Sequence, residues 1–118
     1  MIFQVFTNLQ QLVESGKVFI TPEKDMQIQL DIGSDIAMCL DTMPLIDHTP
    51  EQIKLAVERT TLWARRCKKE HDRLQEGISK GKRQLLWGIT QGGIHKDLRK
   101  RSAEELRDLD FDGYSVGG

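Results

Sequence analysis

The stretch Leu85–Gly93, reading Leu-Leu-Trp-Gly-Ile-Thr-Gln-Gly-Gly, sets the tightest limit on what this chain can become. A short apolar run that breaks at once on two glycines reads as a buried parallel strand ending in a tight turn. A polar residue at the C-terminal end of such a strand stands where α/β proteins place their ligands. Gln91 is therefore the first candidate contact residue. A turn glutamine that caps local backbone is the other reading of the same position.

Neighbouring segments supply the rest of the pattern. Thr21-Pro22-Glu23 and Thr49-Pro50-Glu51 each read as a helix start, with Thr as N-cap, Pro at the first helical position and an acid in the first turn. The first helix carries Met26, Ile28 and Leu30 and stops at Gly33. The apolar run Ile36–Leu40 then reads as a strand that ends on Asp41. The second helix runs from about Pro50 to about Asp72, with Ile53, Ala56, Val57, Thr60, Ala64 and Cys67 on one face. A third helix is expected over about Lys96 to Leu109, with Leu98, Ala103, Leu106 and Leu109 as its apolar positions. Tyr114-Ser115-Val116 makes a last strand before Gly117-Gly118. Alternation of helix and strand implies right-handed crossovers and a parallel sheet.

Composition narrows the function classes. Lysine plus arginine number 17 against 18 acids, a net charge of −1, so charge alone gives no case for nucleic-acid binding. The basic runs Arg65–Lys69 and Lys96–Arg101 read as solvated helix faces. Cys39 and Cys67 form neither a disulfide framework nor a metal motif. His48, His71 and His95 lack metal-ligand spacing and read as surface or capping residues, and Trp63 and Trp87 as core packing. The sequence contains no apolar run long enough to cross a membrane and no leader-like segment, which points to a reduced, cytoplasmic setting.

Aligned by their tips, the three strands deliver Asp41, Gln91 and Gly117-Gly118 to one rim, the catalytic face if the sheet closes as a (β/α)8 barrel. A carboxylate accepts hydrogen bonds, whereas a Gln amide and a backbone N–H can donate. The edge of guanine offers two adjacent donors beside one acceptor, O6. Asp41 facing the donors, with Gln91 and the Gly118 amide facing O6, would match guanine and reject adenine, because each unpaired buried polar group costs about 1–3 kcal/mol. Glycine-rich turns before helices also cradle phosphate, a further reading that Asp41 on the same rim opposes.

Several blocks resemble the queuine tRNA-ribosyltransferase (tRNA-guanine transglycosylase) family. They are Phe3-Gln4-Val5-Phe6, Thr21-Pro22-Glu23, Gly33-Ser34-Asp35-Ile36 through Asp41, Trp63-Ala64-Arg65-Arg66, Gly88–Gly93 and Phe111–Gly118. The resemblance implies that residues 1–118 are a single incomplete domain, the central part of an irregular (β/α)8 TIM barrel. It implies a pentosyltransferase that exchanges guanine at the tRNA wobble position for a 7-deazaguanine, in queuosine-type tRNA modification, through a covalent ribosyl ester on an Asp. Asp41 would then bind the Watson–Crick edge of the base, Gln91, Gly117 and Gly118 its carbonyl side, and Phe3 would stack on it.

The departures from the family pattern bear on catalysis. Met1-Ile2 stand where the family has the glycines of its Asp-Ser-Gly-Gly motif, and the acid–base aspartate of that motif is absent. The nucleophilic Asp and the Cys/His zinc site fall beyond Gly118 in the family pattern, so no catalytic residue and no cofactor are expected within these residues. Asp41-Thr42-Met43 replaces an Asp-Glu-Cys pattern, and the segment from Glu14 to Thr21 is shorter than the family's hairpin. The expected partners are tRNA, guanine or a 7-deazaguanine, and a second protein chain in a homo- or heterodimer. A non-catalytic deazaguanine-binding or partner-subunit module is the alternative. Strands cut from a barrel leave open edges, so self-association or partial disorder is expected of the chain by itself.

Overall fold

Two Thr-Pro pairs open helices as the sequence requires. The computed structural model describes residues 19–45 and 47–118. In α1 (Pro22–Ile32) the Thr21 side chain accepts from the Lys24 amide, and Gly33 closes the helix in the left-handed region at φ 79°. In α2 (Pro50–Leu74) Thr49 and Gln52 form a reciprocal capping box. Between them lies β1 (Ile36–Met38), and after α2 follow β2 (Leu85–Thr90), α3 (Lys96–Arg107) and β3 (Gly113–Val116). A short 3-10 turn, Lys80–Lys82, leads into β2.

The strands form one parallel sheet in the order β1-β2-β3, with Ala37 opposite Leu86 and Gly88 opposite Tyr114. The α/β class and the parallel pairing match the sequence reading. Strand β1 is shorter than the apolar run Ile36–Leu40 suggested, although the Cys39 amide still donates to the Trp87 carbonyl. Helix α3 ends at Arg107, two residues early; Asp108 still has helical dihedrals, and the chain turns away at Asp110, where φ is 57°.

The helix-facing side of the sheet holds the core. Met26, Ala37, Cys39, Ala64, Cys67, Leu86, Leu106 and Phe111 form one buried cluster. Burial of this apolar area drives the docking of α1, α2 and α3 onto the sheet. Gly88 is required there: a Cβ would lie 2.9 Å from the Phe111 ring. All six positions expected on the inner face of α2 are buried. On α3 the expectation fails in one place. Ala103 is exposed and Ser102 is buried, since Ser102 lies in the Leu98–Leu106 stripe and meets a backbone donor there.

The opposite face of the sheet is apolar and only partly covered among the described residues. Ile36 and Leu85 are register partners on that face, and Met38 and Trp87 are the next pair. Leu85 is exposed, and Ile36, Met38 and Trp87 are half-buried. Trp87 is thus not a core residue; it lies on this open face against Gly113, where a Cβ would come within 2.4 Å of the ring. Trp63 is also half-buried, beneath the Arg59 guanidinium at 6.0 Å. Val116 and Tyr114 at the β3 edge are exposed.

Candidate functional site

The site begins with how Asp41 is held. Two residues, Cys39 and Leu40, separate it from the end of β1, and nothing in regular secondary structure fixes that segment. Thr60 on α2 takes over: its Oγ1 accepts from the Thr42 amide at 2.9 Å and donates to the Thr42 carbonyl at 3.4 Å. One buried hydroxyl thereby satisfies both backbone groups of the residue after Asp41. Gln29 does the same at the outer edge of β1. Its Nε2 donates to the Met38 carbonyl at 2.8 Å and its Oε1 accepts from the Met38 amide at 3.0 Å. Among the described residues no strand pairs with this edge of β1, and the Gln29 amide satisfies both Met38 backbone groups there.

Gln91 follows β2 immediately and is completely buried, at 0% exposure. Its amide nitrogen does not cap local backbone. Nε2 donates to Asp41 Oδ2 at 2.6 Å, linking the tips of β1 and β2. Its own backbone N–H donates to Ser102 Oγ at 3.0 Å, which fixes the side chain's root to α3. Gln91 Oε1 has no partner among the described residues. A buried acceptor without a partner costs about 1–3 kcal/mol.

Gly117 comes next on the rim. Its amide donates to the Thr90 carbonyl at 2.8 Å. A Cβ at this position would lie 2.5 Å from the Thr90 oxygen and 2.7 Å from Gln91 Nε2, so the backbone of β3 rests directly on the Gln91 amide. The main-chain oxygen of Gly118 accepts from the Gly92 and Gly93 amides at 3.1 and 2.9 Å. Asp41, Gln91, Gly117 and Gly118 are therefore neighbours through a continuous set of contacts from β1 to β3. Phe3 lies outside the described residues.

Electrostatics single out two carboxyls. Burial raises the Asp41 pKa above its ordinary 3.8, against the Gln91 hydrogen bond, which lowers it. Asp25 on α1 is buried at 2% exposure beside Gln29, whose Nε2 donates to its Oδ1 at 2.9 Å. Burial pushes its pKa up to about 7, with the charge of Asp41 adding in the same direction. The sequence reading passed over Asp25, Gln29, Thr60 as an anchor, and Ser102. The signal was present only as polar residues falling on helical core stripes.

A family sequence model for queuine tRNA-ribosyltransferases matches residues 3–118. The chain belongs to the queuine tRNA-ribosyltransferase family. Relatives bearing that name occur in Staphylococcus aureus strains bovine RF122 / ET3-1, JH9 and N315, each 44% identical over 98% of this chain. The chain spans about a third (32%) of the length of these curated relatives. The fold brings Asp41, Gln91, Gly117 and Gly118 together at the strand tips.

The other candidates fall elsewhere. Among the described residues no three His, Cys, Asp or Glu side chains gather as a metal-ligand set. His71 is buried, not on the surface, and burial lowers its pKa. His48 accepts from the Leu45 amide through Nδ1, and His95 precedes α3 without a side-chain cap bond. Among the described residues no helix is long and apolar enough to cross a membrane.

Proposed function

We propose that this chain forms the base-recognition part of a tRNA-guanine transglycosylase-type (β/α)8 barrel and binds the Watson–Crick edge of guanine or a 7-deazaguanine. The observation that carries the reading is the Gln91–Asp41 hydrogen bond at the strand tips, with Gly117 seated on the Gln91 amide. Asp41 accepts from the two adjacent donors of the base. Gln91 Nε2 carries two hydrogens and spends one on Asp41; the second, with the Gly118 amide, meets the base carbonyl. Adenine places a donor where guanine has that carbonyl, so it leaves buried groups unpaired.

In the whole protein the bound base is exchanged at a tRNA ribose, a pentosyl transfer through a covalent ester on an aspartate supplied outside these residues. The half-covered apolar face of the sheet and the exposed Val116 at its edge support further barrel strands packing there. By itself the chain binds the base and does not turn over. Titration with guanine and with a 7-deazaguanine tests the binding, with Asp41→Ala as control; equal affinity for guanine and adenine would sink the reading. Incorporation of labelled guanine into a cognate tRNA by this chain alone would overturn the assignment of the nucleophile elsewhere.

A further inference from the structure

Arg99 belongs to a basic run that the sequence presents as a solvated face, yet its guanidinium turns inward and donates to three main-chain oxygens. Nε reaches the Gly93 carbonyl at 2.8 Å, Nη1 the Gly117 carbonyl at 2.9 Å and Nη2 the Gly118 oxygen at 3.1 Å. The turn after β2 closes directly on this residue. Gly92 has φ 144°, and a Cβ there would lie 2.6 Å from the Arg99 nitrogen. One side chain on α3 thus ties together the turn after β2 and the end of β3.

We propose that Arg99 is a positioning residue for base recognition: by holding the Gly117 carbonyl it presents the Gly118 N–H to the carbonyl of the bound base. This rests on the guanine-edge reading above. The peptide unit between Gly117 and Gly118 is planar and trans, so its C=O and N–H point to opposite sides. Anchoring the carbonyl on Arg99 turns the N–H away from α3. Neither glycine has a side chain to restrict rotation of that plane, so the anchor must come from elsewhere. A guanidinium suits the task because its donors form a rigid planar fork, whereas a lysine offers one point charge on a flexible stem. Arg99 acts through the Gly118 amide and needs no contact with the base.

Calorimetric titration of the full chain tests this with three bases. Guanine has the O6 acceptor and both donors; 6-thioguanine replaces O6 by a weakly accepting sulfur; hypoxanthine keeps O6 and lacks the exocyclic amine that faces Asp41. The unmodified chain prefers guanine over 6-thioguanine by about fivefold or more, the equivalent of one hydrogen bond. In Arg99→Met this preference falls to about twofold or less, while the preference for guanine over hypoxanthine is unchanged. Arg99→Lys lies between. A guanine to 6-thioguanine preference that survives in folded Arg99→Met overturns the proposal, and so does a parallel fall of both preferences, which is what a merely structural role would produce. Should circular dichroism show Arg99→Met unfolded, Arg99→Lys decides by the same two ratios. If the unmodified chain binds none of the bases, the guanine reading itself fails and this inference with it; binding with unmoved ratios removes only the role of Arg99.

Discussion

Gln91 donates through Nε2 to Asp41 Oδ2 at 2.6 Å, across the gap between the tips of β2 and β1. Within this pair Asp41 carries the charge and Gln91 sets where the carboxylate lies. Replacing Asp41 by Asn keeps the shape and removes one acceptor, so guanine binding weakens by about 1.5–3 kcal/mol, the range for hydrogen bonds to charged groups. Binding also depends on pH. Because burial raises the Asp41 pKa above 3.8, the accepting carboxylate is lost at a higher pH than for an exposed Asp. Guanine affinity measured downward from pH 8 therefore falls before pH 3.8 is reached, and affinity that stays level down to that pH would refute the assignment.

Gly117→Ala tests whether the backbone of β3 and the Gln91 amide form one surface. The added methyl would sit 2.7 Å from Gln91 Nε2 and 2.5 Å from the Thr90 oxygen. The side chain can give way and the strand cannot, so the amide is displaced from Asp41. Overpacking of this kind costs about 1–3 kcal/mol of stability. Guanine affinity is expected to fall with it, while Gly81→Ala, which meets nothing within 4 Å, changes neither.

Ser102 anchors Gln91 by its backbone. Ser102→Ala leaves the buried Gln91 N–H without its acceptor at 3.0 Å, a loss of about 1–3 kcal/mol. Urea unfolding measures it as a lower midpoint with an unchanged slope. A variant as stable as the parent would mean that water replaces the hydroxyl.

The elements were legible in the sequence because each carries local chemistry. Thr-Pro starts, Gly33 as a left-handed stop and short apolar runs depend on near neighbours only, and they located the three α-helices and three strands of the described residues. Asp41, Gln91 and Gly117-Gly118 could be aligned because parallel strands bring their C-terminal ends to one rim. What remained hidden was polar and long-range. Thr60 holds Thr42 from 18 residues away, and Gln84 Nε2 donates to the Ser34 carbonyl from 50 residues away. Such partners leave no periodic trace: a buried polar residue on a helix reads as a break in the apolar stripe until its partner is known. Ser102 was passed over for that reason, and His71, read as a surface or capping residue, is buried.

Exposed apolar residues on the sheet predict the solution behaviour of the chain by itself. Leu85 and Val116 are uncovered among the described residues, with Val116 87% exposed at the edge of β3. An uncapped parallel edge offers unpaired backbone groups to another chain. Static light scattering is expected to give a mass that rises with concentration, and Val116→Lys is expected to reduce the rise. A concentration-independent monomer with cooperative unfolding would argue that these surfaces are already satisfied.

Asp25 gives the fold its own pH dependence. Its pKa is 3.8 in an unfolded chain and about 7 when buried. Below 3.8 both states hold the proton and burial carries no ionisation penalty. Between 3.8 and about 7 the unfolded chain releases its proton while the folded chain keeps it, so stability falls as pH rises through this window. The slope approaches about 1.4 kcal/mol per pH unit, for a total of a few kcal/mol. Asn in place of Asp25 can still accept from Gln29 and carries no proton to lose. Thermal melts of Asp25→Asn should therefore match the parent near pH 4, exceed it above pH 7, and vary less in between. If the two melting curves run parallel from pH 4 to pH 8, Asp25 ionises as readily inside the fold as outside it, and the acid facing Asp41 from α1 is solvated.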